Sequence, residues 1–581
     1  MSKVEQLPKV ASRVKNLSVV YLAIVAMSTS LLTTELSAKQ HDKKPKLILQ
    51  ITVDQLRGDL PFRYQDRFVK NGFNYLLNKG TVYRDAHHGH ANTETIVGHV
   101  SLATGTHPSN HGLVGNIWFD RKANKTVYNI EDGRYKLLTK GADVDKETEI
   151  DPTQKQANVD GRSPRSISAS TFSDEMVIAS NGKAKVFGVS IKDRGAVAMA
   201  GHGGKALWFS KSTQEFVSSD YYFKQYPLWV NQWNDKKMPA RYGNKAWELL
   251  HDKATYLFGE DDDKQWEADF AGYKRTFPHP FGEASSPYFS TLLTINPVGD
   301  ELTVDFTKQL ILSEKIGEDA ITDYLSISLS STDYIGHFFG ASSLEMEDNL
   351  LRLDRTLADL FSFIDKKIGL DNTVIVLSSD HGGPEIPGYL QEKKLSGEYV
   401  SAREWDGLAE ITRLKKSLGI KQPLITGYHH PYIYLDHKII EKNNLDLSVV
   451  QNQVSKALLN INDVYRAVAS HRVEEGTLSD TKINKAIINN HFPSRSGDIY
   501  IVFKPQDFIN DLEGLTVPSV HGSPWVYDTF VPVIFAGMNI PAQHIYKKIE
   551  TTDVAPTLSA ILKIKAPSAS QGNILVEVFE Q

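Results

Sequence analysis

Residues 373–383 read TVIVLSSDHGG, an apolar, β-branched run that ends abruptly in Asp380–His381 and the flexible pair Gly382–Gly383. The apolar part does not alternate with polar residues, which suits a strand buried on both faces, as in a parallel sheet covered by helices. Four more runs share this character: LILQITV (47–53), VFGVSI (186–191), YLSISLS (324–330) and PVIFAG (532–537). Helical patterns lie between them. In SSLEMEDNLLRLDRTLADLFSFIDKK (342–367), Leu350, Leu353, Leu357 and Leu360 recur at helical spacing. Alternating strand and helix signals predict an α/β domain, a doubly wound, mostly parallel central sheet with helices on both faces.

The 581 residues hold 65 basic and 70 acidic side chains, a formal net charge of −5. No basic surplus exists to neutralise a phosphate backbone, so a nucleic-acid duplex is not an expected partner. There is no cysteine. That removes disulfide frameworks, thiolate zinc sites, iron–sulfur clusters and cysteine nucleophiles together. Any metal must be held by oxygen and imidazole nitrogen.

The first 38 residues read as an address. Lys3, Lys9, Arg13 and Lys15 precede LSVVYLAIVAM (17–27), and the small pair Ser37–Ala38 comes before the polar run KQHDKKPK. A basic stretch, a short apolar stretch and a small residue at the break form a secretory signal, cleaved near Ala38. The alternative is a retained anchor, but Ser and Thr dilute the second half, and a spanning helix needs about 20 apolar residues. The mature chain, 39–581, is expected to be periplasmic or secreted, monomeric, and free of a membrane span. Three stretches interrupt the strand–helix rhythm and read as insertions in one catalytic domain. Residues 121–180 are polar and charge-rich. Residues 205–300 hold Trp208, Trp229, Trp233, Trp247 and Trp266, five of the chain's eight tryptophans, expected to form an accessory core of their own. Residues 390–525 combine an amphipathic run, DLSVVQNQVSKALLNI, with a strand-like GDIYIVF.

The residues just past each apolar run carry the chemistry. Asp54 comes directly after LILQITV; Lys192, Asp193 and Arg194 after VFGVSI; Asp333 and His337 after YLSISLS; Asp380 and His381 after TVIVLSS. Ligands of open α/β sheets sit beyond the carboxyl ends of the strands, so four strands deliver charged or metal-ligating groups to one edge. Singly each has a bland reading. A lone Asp after a strand is usually a turn former or helix cap, Asp333-x-x-x-His337 can be a solvated helix face, and His521 in VPSVHGSPW can be a structural loop histidine. Jointly, three Asp and three His are a donor mixture suited to zinc or a similar divalent ion. Six ligands exceed what one tetrahedral ion needs and suit two ions sharing a nucleophile.

A second centre is HANTETIVGHVSLATGTHPSNHGLVGN (90–116). TIVGHVSLATG predicts a helix from near Thr95 to about Gly105. A hydroxyl at its start lies among free N–H groups and the positive dipole end, an anion site. Taken alone, Thr95 reads more readily as a helix cap than as a nucleophile, and Thr93 and Ser101 compete for any hydroxyl role. Asn116 is either a neutral donor from the next loop or a turn former.

With these motifs, the chain resembles the alkaline phosphatase superfamily, in particular the periplasmic PafA-type phosphatases with a threonine nucleophile, akin to nucleotide pyrophosphatase/phosphodiesterases. The resemblance runs from ITVDQLRGD (51–59) to TTDVAPTLSAIL (551–562). It implies two zinc ions, one on Asp54, Asp380 and His381, the other on Asp333, His337 and His521, with Thr95 between them as nucleophile and ligand. It gives Asn116, Lys192 and Arg194 the phosphoryl oxygens. The implied reaction is hydrolysis of small phosphate monoesters through a phosphothreonine. Charge agrees: two zinc ions cancel three aspartates and a threonine alkoxide, leaving Lys192 and Arg194 to match a monoester dianion. Rival readings are a phosphodiesterase or nucleotide pyrophosphatase on the same scaffold, and an exported metal- or phosphate-binding protein without turnover. A sulfatase is disfavoured by the missing cysteine, and a phosphomutase by the secretory address.

Overall fold

The structure is a computed structural model and describes residues 44–401, 404–512 and 515–579; the expected signal, 1–38, lies outside them. Nine strands form one mixed sheet: β1 (Leu47–Val53), β2 (Thr81–His87), β3 (Val186–Ser190), β4 (Lys205–Ser210), β5 (Glu215–Val217), β6 (Asp323–Leu329), β7 (Thr373–Ser378), β8 (Phe530–Gly537) and β9 (Gln543–Glu550). Their order is β9-β2-β8-β7-β1-β6-β3-β4-β5. The neighbours from β7 to β4 pair parallel, and β2 pairs parallel with β9.

Both faces are covered. In β1, Leu47, Leu49, Ile51 and Val53 enter one core and Ile48 the other. In β7, Ile375 and Leu377 go one way, Val374 and Val376 the other. This even division is why none of the runs alternates in sequence. The first core takes Leu350, Leu353, Leu357 and Leu360 from the helix Leu344–Lys367; the second takes Val554, Leu558 and Leu562 from Val554–Leu562.

Two expectations need correction. PVIFAG, in β8, runs antiparallel to both β7 and β2. It is an interior strand with neighbours on both sides, so its burial carries no information about direction. The 205–300 stretch does not build its own core from its tryptophans. Its first residues are β4 and β5 at the sheet edge, and Trp208, Trp229, Trp233 and Trp247 belong to the main core. Trp229 and Trp233 pack on Phe306, at ring-centroid distances of 5.2 and 5.3 Å. Within 390–525, by contrast, Ile425–His429, Tyr432–Leu435, Ile499–Phe503 and Val464–Ala469 make a separate antiparallel sheet. A distinct apolar cluster, including Ile433, Val450 and Ile501, packs beneath it.

For the site, the decisive feature is the adjacency of β7, β1, β6 and β3. Their last residues are in register, with Thr52 opposite both Ser328 and Ser378, and Ser328 opposite Ser190. The residues beyond these four strands therefore emerge side by side.

Candidate active site

From left to right along that edge, β7 delivers Asp380 and His381, β1 delivers Asp54, β6 leads into the helix Ser331–Phe339 with Asp333 and His337, and β3 delivers Lys192 and Arg194. His521 comes from the loop before β8. These groups converge in two clusters, Asp54/Asp380/His381 and Asp333/His337/His521, each with its ligand atoms within 4.8 Å of one another.

The histidine tautomers are set by hydrogen bonding. His381 Nδ1 lies 2.9 Å from Gly382 O, His337 Nδ1 2.6 Å from Ser519 O, and His521 Nδ1 2.8 Å from Thr93 O. A carbonyl only accepts, so each Nδ1 carries the proton and each Nε2 faces inward, the arrangement that orients metal-binding imidazoles. His381 Nε2 is 3.3 Å from Asp54 Oδ1; His337 and His521 Nε2 are 3.3 and 3.4 Å from Asp333 Oδ1. Asp54 Oδ1 and His381 Nε2 are buried and form no hydrogen bond. A buried carboxylate oxygen without a donor, beside an imidazole nitrogen, calls for a cation, so the Asp54/Asp380/His381 cluster fits a divalent ion. The Asp333/His337/His521 cluster offers a similar donor set, one carboxylate and two inward Nε2 atoms.

Lys192 lies between the clusters. Its ammonium is 2.7 Å from Asp54 Oδ2 and also pairs with Asp333 Oδ2. Each carboxylate thus gives one oxygen to the lysine and turns the other toward histidine. Burial disfavours the ammonium, but Asp333 and Asp54 outweigh it and hold its pKa above the ordinary value. The stacked pair His381 and His521, with centroids 3.6 Å apart, splits. Burial opposes His381's charge, yet Asp380 and Asp54 lift it to about 9; burial and then the charge of His381 push His521 down to about 3.

The threonine helix spans Thr95–Thr104 and ends at Gly105 with φ +65°, as its sequence predicts. Thr95 is its first residue; Glu94 occupies the cap position and makes no side-chain cap. The Thr95 hydroxyl accepts a 3.2 Å hydrogen bond from Arg194 Nη2. Its competitors are engaged elsewhere. Thr93 Oγ1 donates to Ser523 O, and Ser101 Oγ meets His111 Nε2 at 3.1 Å. Gly98 lets the helix approach β7, because a Cβ there would lie 1.9 Å from Asp380 O. His99, on the same helix, sits 3.1 Å from Asp380 Oδ2. Asn116 Oδ1 accepts from Ile96 N at 3.2 Å and so caps the helix start.

Thr95, Asn116, Arg194, Asp333, His337 and His521 line a pocket of about 90 Å³ together with Glu94 and Asp151. Lys192, Asp54, Asp380 and His381 are not in its lining and stand behind it. Residues 48–524 match the type I phosphodiesterase / nucleotide pyrophosphatase family. The chain belongs to that family. It is 34% identical to alkaline phosphatase PafA of Elizabethkingia meningoseptica over 541 residues, 92% of this chain and 95% of that protein. It is 33% identical to alkaline phosphatase PhoV of Synechococcus elongatus over 539 residues, 92% and 93% of the two chains. A crystal structure of wild-type PafA superposes with a TM-score of 0.82, at 32% identity, over 92% of this chain and 99% of that one.

Several groups at this family member's site are not legible in its motifs. Asp151 holds Arg194 Nη1 at 2.6 Å; burial opposes its charge, but Arg194 outweighs it and keeps the carboxyl below its ordinary range. Asp193 is fixed by Tyr128 OH at 2.6 Å and Arg162 Nε at 2.8 Å. Gln55, with φ +62°, donates from Nε2 to Asp333 Oδ1 at 3.1 Å. Three of these supports come from the polar stretch 121–180. Its one sequence signal is Asp151–Pro152, an acid cap with proline next to it at the first helical position.

Proposed function

We propose that this chain hydrolyses phosphate monoesters by way of a phosphothreonine at Thr95. One observation carries the reading: the Thr95 hydroxyl opens a helix, is touched by Arg194, and shares a small pocket with Asp333, His337 and His521. Asp54, Asp380 and His381 would hold one divalent ion, and Asp333, His337 and His521 the other, zinc in both by the oxygen and imidazole donor set. When bound, the ions supply Lewis acidity that favours an alkoxide at Thr95 and stabilises the departing ester oxygen.

The chain's own residues perform the rest. Thr95 Oγ1 attacks phosphorus, the P–O bond to the alcohol breaks, and the alcohol leaves with a proton. Water then cleaves the threonine ester, releasing inorganic phosphate and restoring the hydroxyl. Arg194 can fork across two phosphoryl oxygens, and Asn116, with Oδ1 held by Ile96 N–H, has its amide NH₂ to donate. Lys192 adds a second positive charge from behind the pocket. Even with Asp151 offsetting part of the Arg194 charge, two cations suit a monoester dianion better than a diester monoanion, and electrostatic positioning carries most of the rate in phosphoryl transfer. We infer export to the periplasm or medium from the signal-like 1–38; among the described residues no helix is long and apolar enough to cross a membrane.

The test is turnover of an aryl phosphate against a bis-aryl phosphate, with and without chelator. Monoester turnover lost to the chelator and restored by zinc is expected. Faster diester turnover would favour the phosphodiesterase reading, and metal binding without turnover a binding protein. Asp151→Ala leaves Arg194 without its buried carboxylate. Monoester kcat/KM should fall about 10–100-fold, with metal content unchanged because Asp151 touches neither cluster; elemental analysis beside kinetics checks both.

A further inference from the structure

A second cavity, of about 620 Å³, adjoins the catalytic pocket and shares Glu94, Pro152, Thr153, Val520 and His521 with it. We propose that this cavity is the leaving-group subsite and is built for an uncharged or cationic, ring-bearing alcohol. The inference rests on the monoesterase reading above.

Position comes first. His521 stands in both walls, and with Thr95 and Arg194 it lines the small pocket. A phosphoryl group held there leaves the larger space, past His521, for the alcohol to which it is esterified. The small pocket takes the phosphoryl group; the larger lies in the range of about 300–1,000 Å³ that holds whole small molecules.

Side-chain chemistry gives the class. Trp405, Tyr428, Phe503, Trp525 and Tyr527 line the cavity, and several are fixed in place. Trp525 Nε1 donates to Phe503 O at 3.1 Å, and Tyr527 OH accepts from Gln506 N at 2.9 Å. Tyr428 OH donates to His430 Nδ1, whose Nε2 donates to Gly522 O, both at 2.9 Å. The last bond ties the aromatic wall to the residue beside His521. Rigid aromatic faces bind planar rings with little ordering cost.

Charge narrows the class. Among the described residues no lysine or arginine lines the cavity, whereas Glu94, Glu404, Asp406, Asp507 and Asp528 do. Asp406 is partly neutralised by its ion pair with Lys415, and Asp528 is engaged by Gly522 N and Ser523 and pushed up to about 7 by burial; Glu94, Glu404 and Asp507 still give the space a negative sign. A second phosphate or a carboxylate on the alcohol is repelled; an ammonium gains both from the acids and from the ring faces.

The test uses esters that share an ethyl linker, so that leaving-group basicity stays constant: ethyl, 2-phenylethyl and 2-(2-naphthyl)ethyl phosphate. Wild-type kcat/KM should rise about tenfold or more from the first to the last. Trp525→Ala should collapse that ratio and Trp525→Phe keep most of it. A 4-trimethylammonio ring, cationic at any pH, should outperform a 4-carboxy ring by about tenfold. Equilibrium binding of 2-(2-naphthyl)ethanol, measured by calorimetry, needs no turnover; it should saturate and weaken in Trp525→Ala. A ratio near unity in the wild type, a ratio insensitive to Trp525→Ala, or no saturable alcohol binding overturns the subsite. Alcohol binding without hydrolysis of any monoester would sink the reaction and leave the subsite standing.

Discussion

Thr95→Ala should lower turnover of an aryl phosphate by on the order of 10⁴-fold or more, in a protein that stays folded and metal-loaded. The structural cost is small, because alanine is a better helix former than threonine and Thr95 is the first helical residue rather than the cap. The loss is therefore chemical: the only hydroxyl in contact with Arg194 among the three candidates is gone. Acid-quenched mixtures with labelled substrate should yield a phosphothreonine at Thr95 in the wild type and no covalent label in the variant. Thr95→Ser keeps the oxygen and should retain measurable turnover. A Thr95→Ala protein that works at near wild-type rate would move the nucleophile elsewhere, and neither Thr93 nor Ser101 faces the pocket to take its place.

The second large effect belongs to Lys192 and Arg194. Replacing both by alanine should reduce monoester kcat/KM by about 10³-fold and diester kcat/KM by less than about tenfold. The asymmetry arises because each cation gains more from a dianion than from a monoanion, even with Asp151 offsetting part of the Arg194 charge. Equal losses on the two substrates would favour the diesterase reading. Lys192 has a further effect of its own, because its ammonium joins Asp54 to Asp333. Removing it leaves two buried carboxylates without that counter-charge, which should cost about 3–5 kcal/mol when no divalent ion is present. Bound zinc supplies the charge instead. Lys192→Ala should therefore melt well below wild type in chelator and close to wild type with zinc, a difference that thermal scans resolve.

Much of this centre is visible in the linear chain because of how parallel sheets work. A strand covered on both faces is a continuous apolar run, so its carboxyl end is marked by the first charged residue. Asp54, Asp333, Asp380 and Lys192 announce themselves in that way. What the pattern cannot carry is everything set by packing. β9 is an edge strand, QHIYKKIE, with exposed lysines and only partial apolar character, so no apolar run betrays it. β4 and β5 are hidden in a tryptophan-rich stretch that reads as an accessory unit. Asp151, Tyr128 and Arg162 lie in a polar segment and reach the site by pairing with Asp193 and Arg194. The aromatic cavity draws on Trp405 and Trp525, which are 120 positions apart in sequence and meet only through the separate sheet of the 390–525 stretch.

Hydrogen bonding also settles what spacing leaves open. Three histidines could ligate, cap or simply pack; the three carbonyls on their Nδ1 atoms turn every Nε2 toward a carboxylate. That common orientation is hard to reconcile with histidines placed for packing alone.

Metal stoichiometry is the most direct check on this arrangement. Elemental analysis of the folded protein after zinc loading and desalting should give two zinc ions per chain. His381→Ala and His521→Ala should each bring the count close to one, with circular dichroism unchanged. Two ions retained in both variants, or a single ion in the wild type, would contradict the assignment of the two clusters.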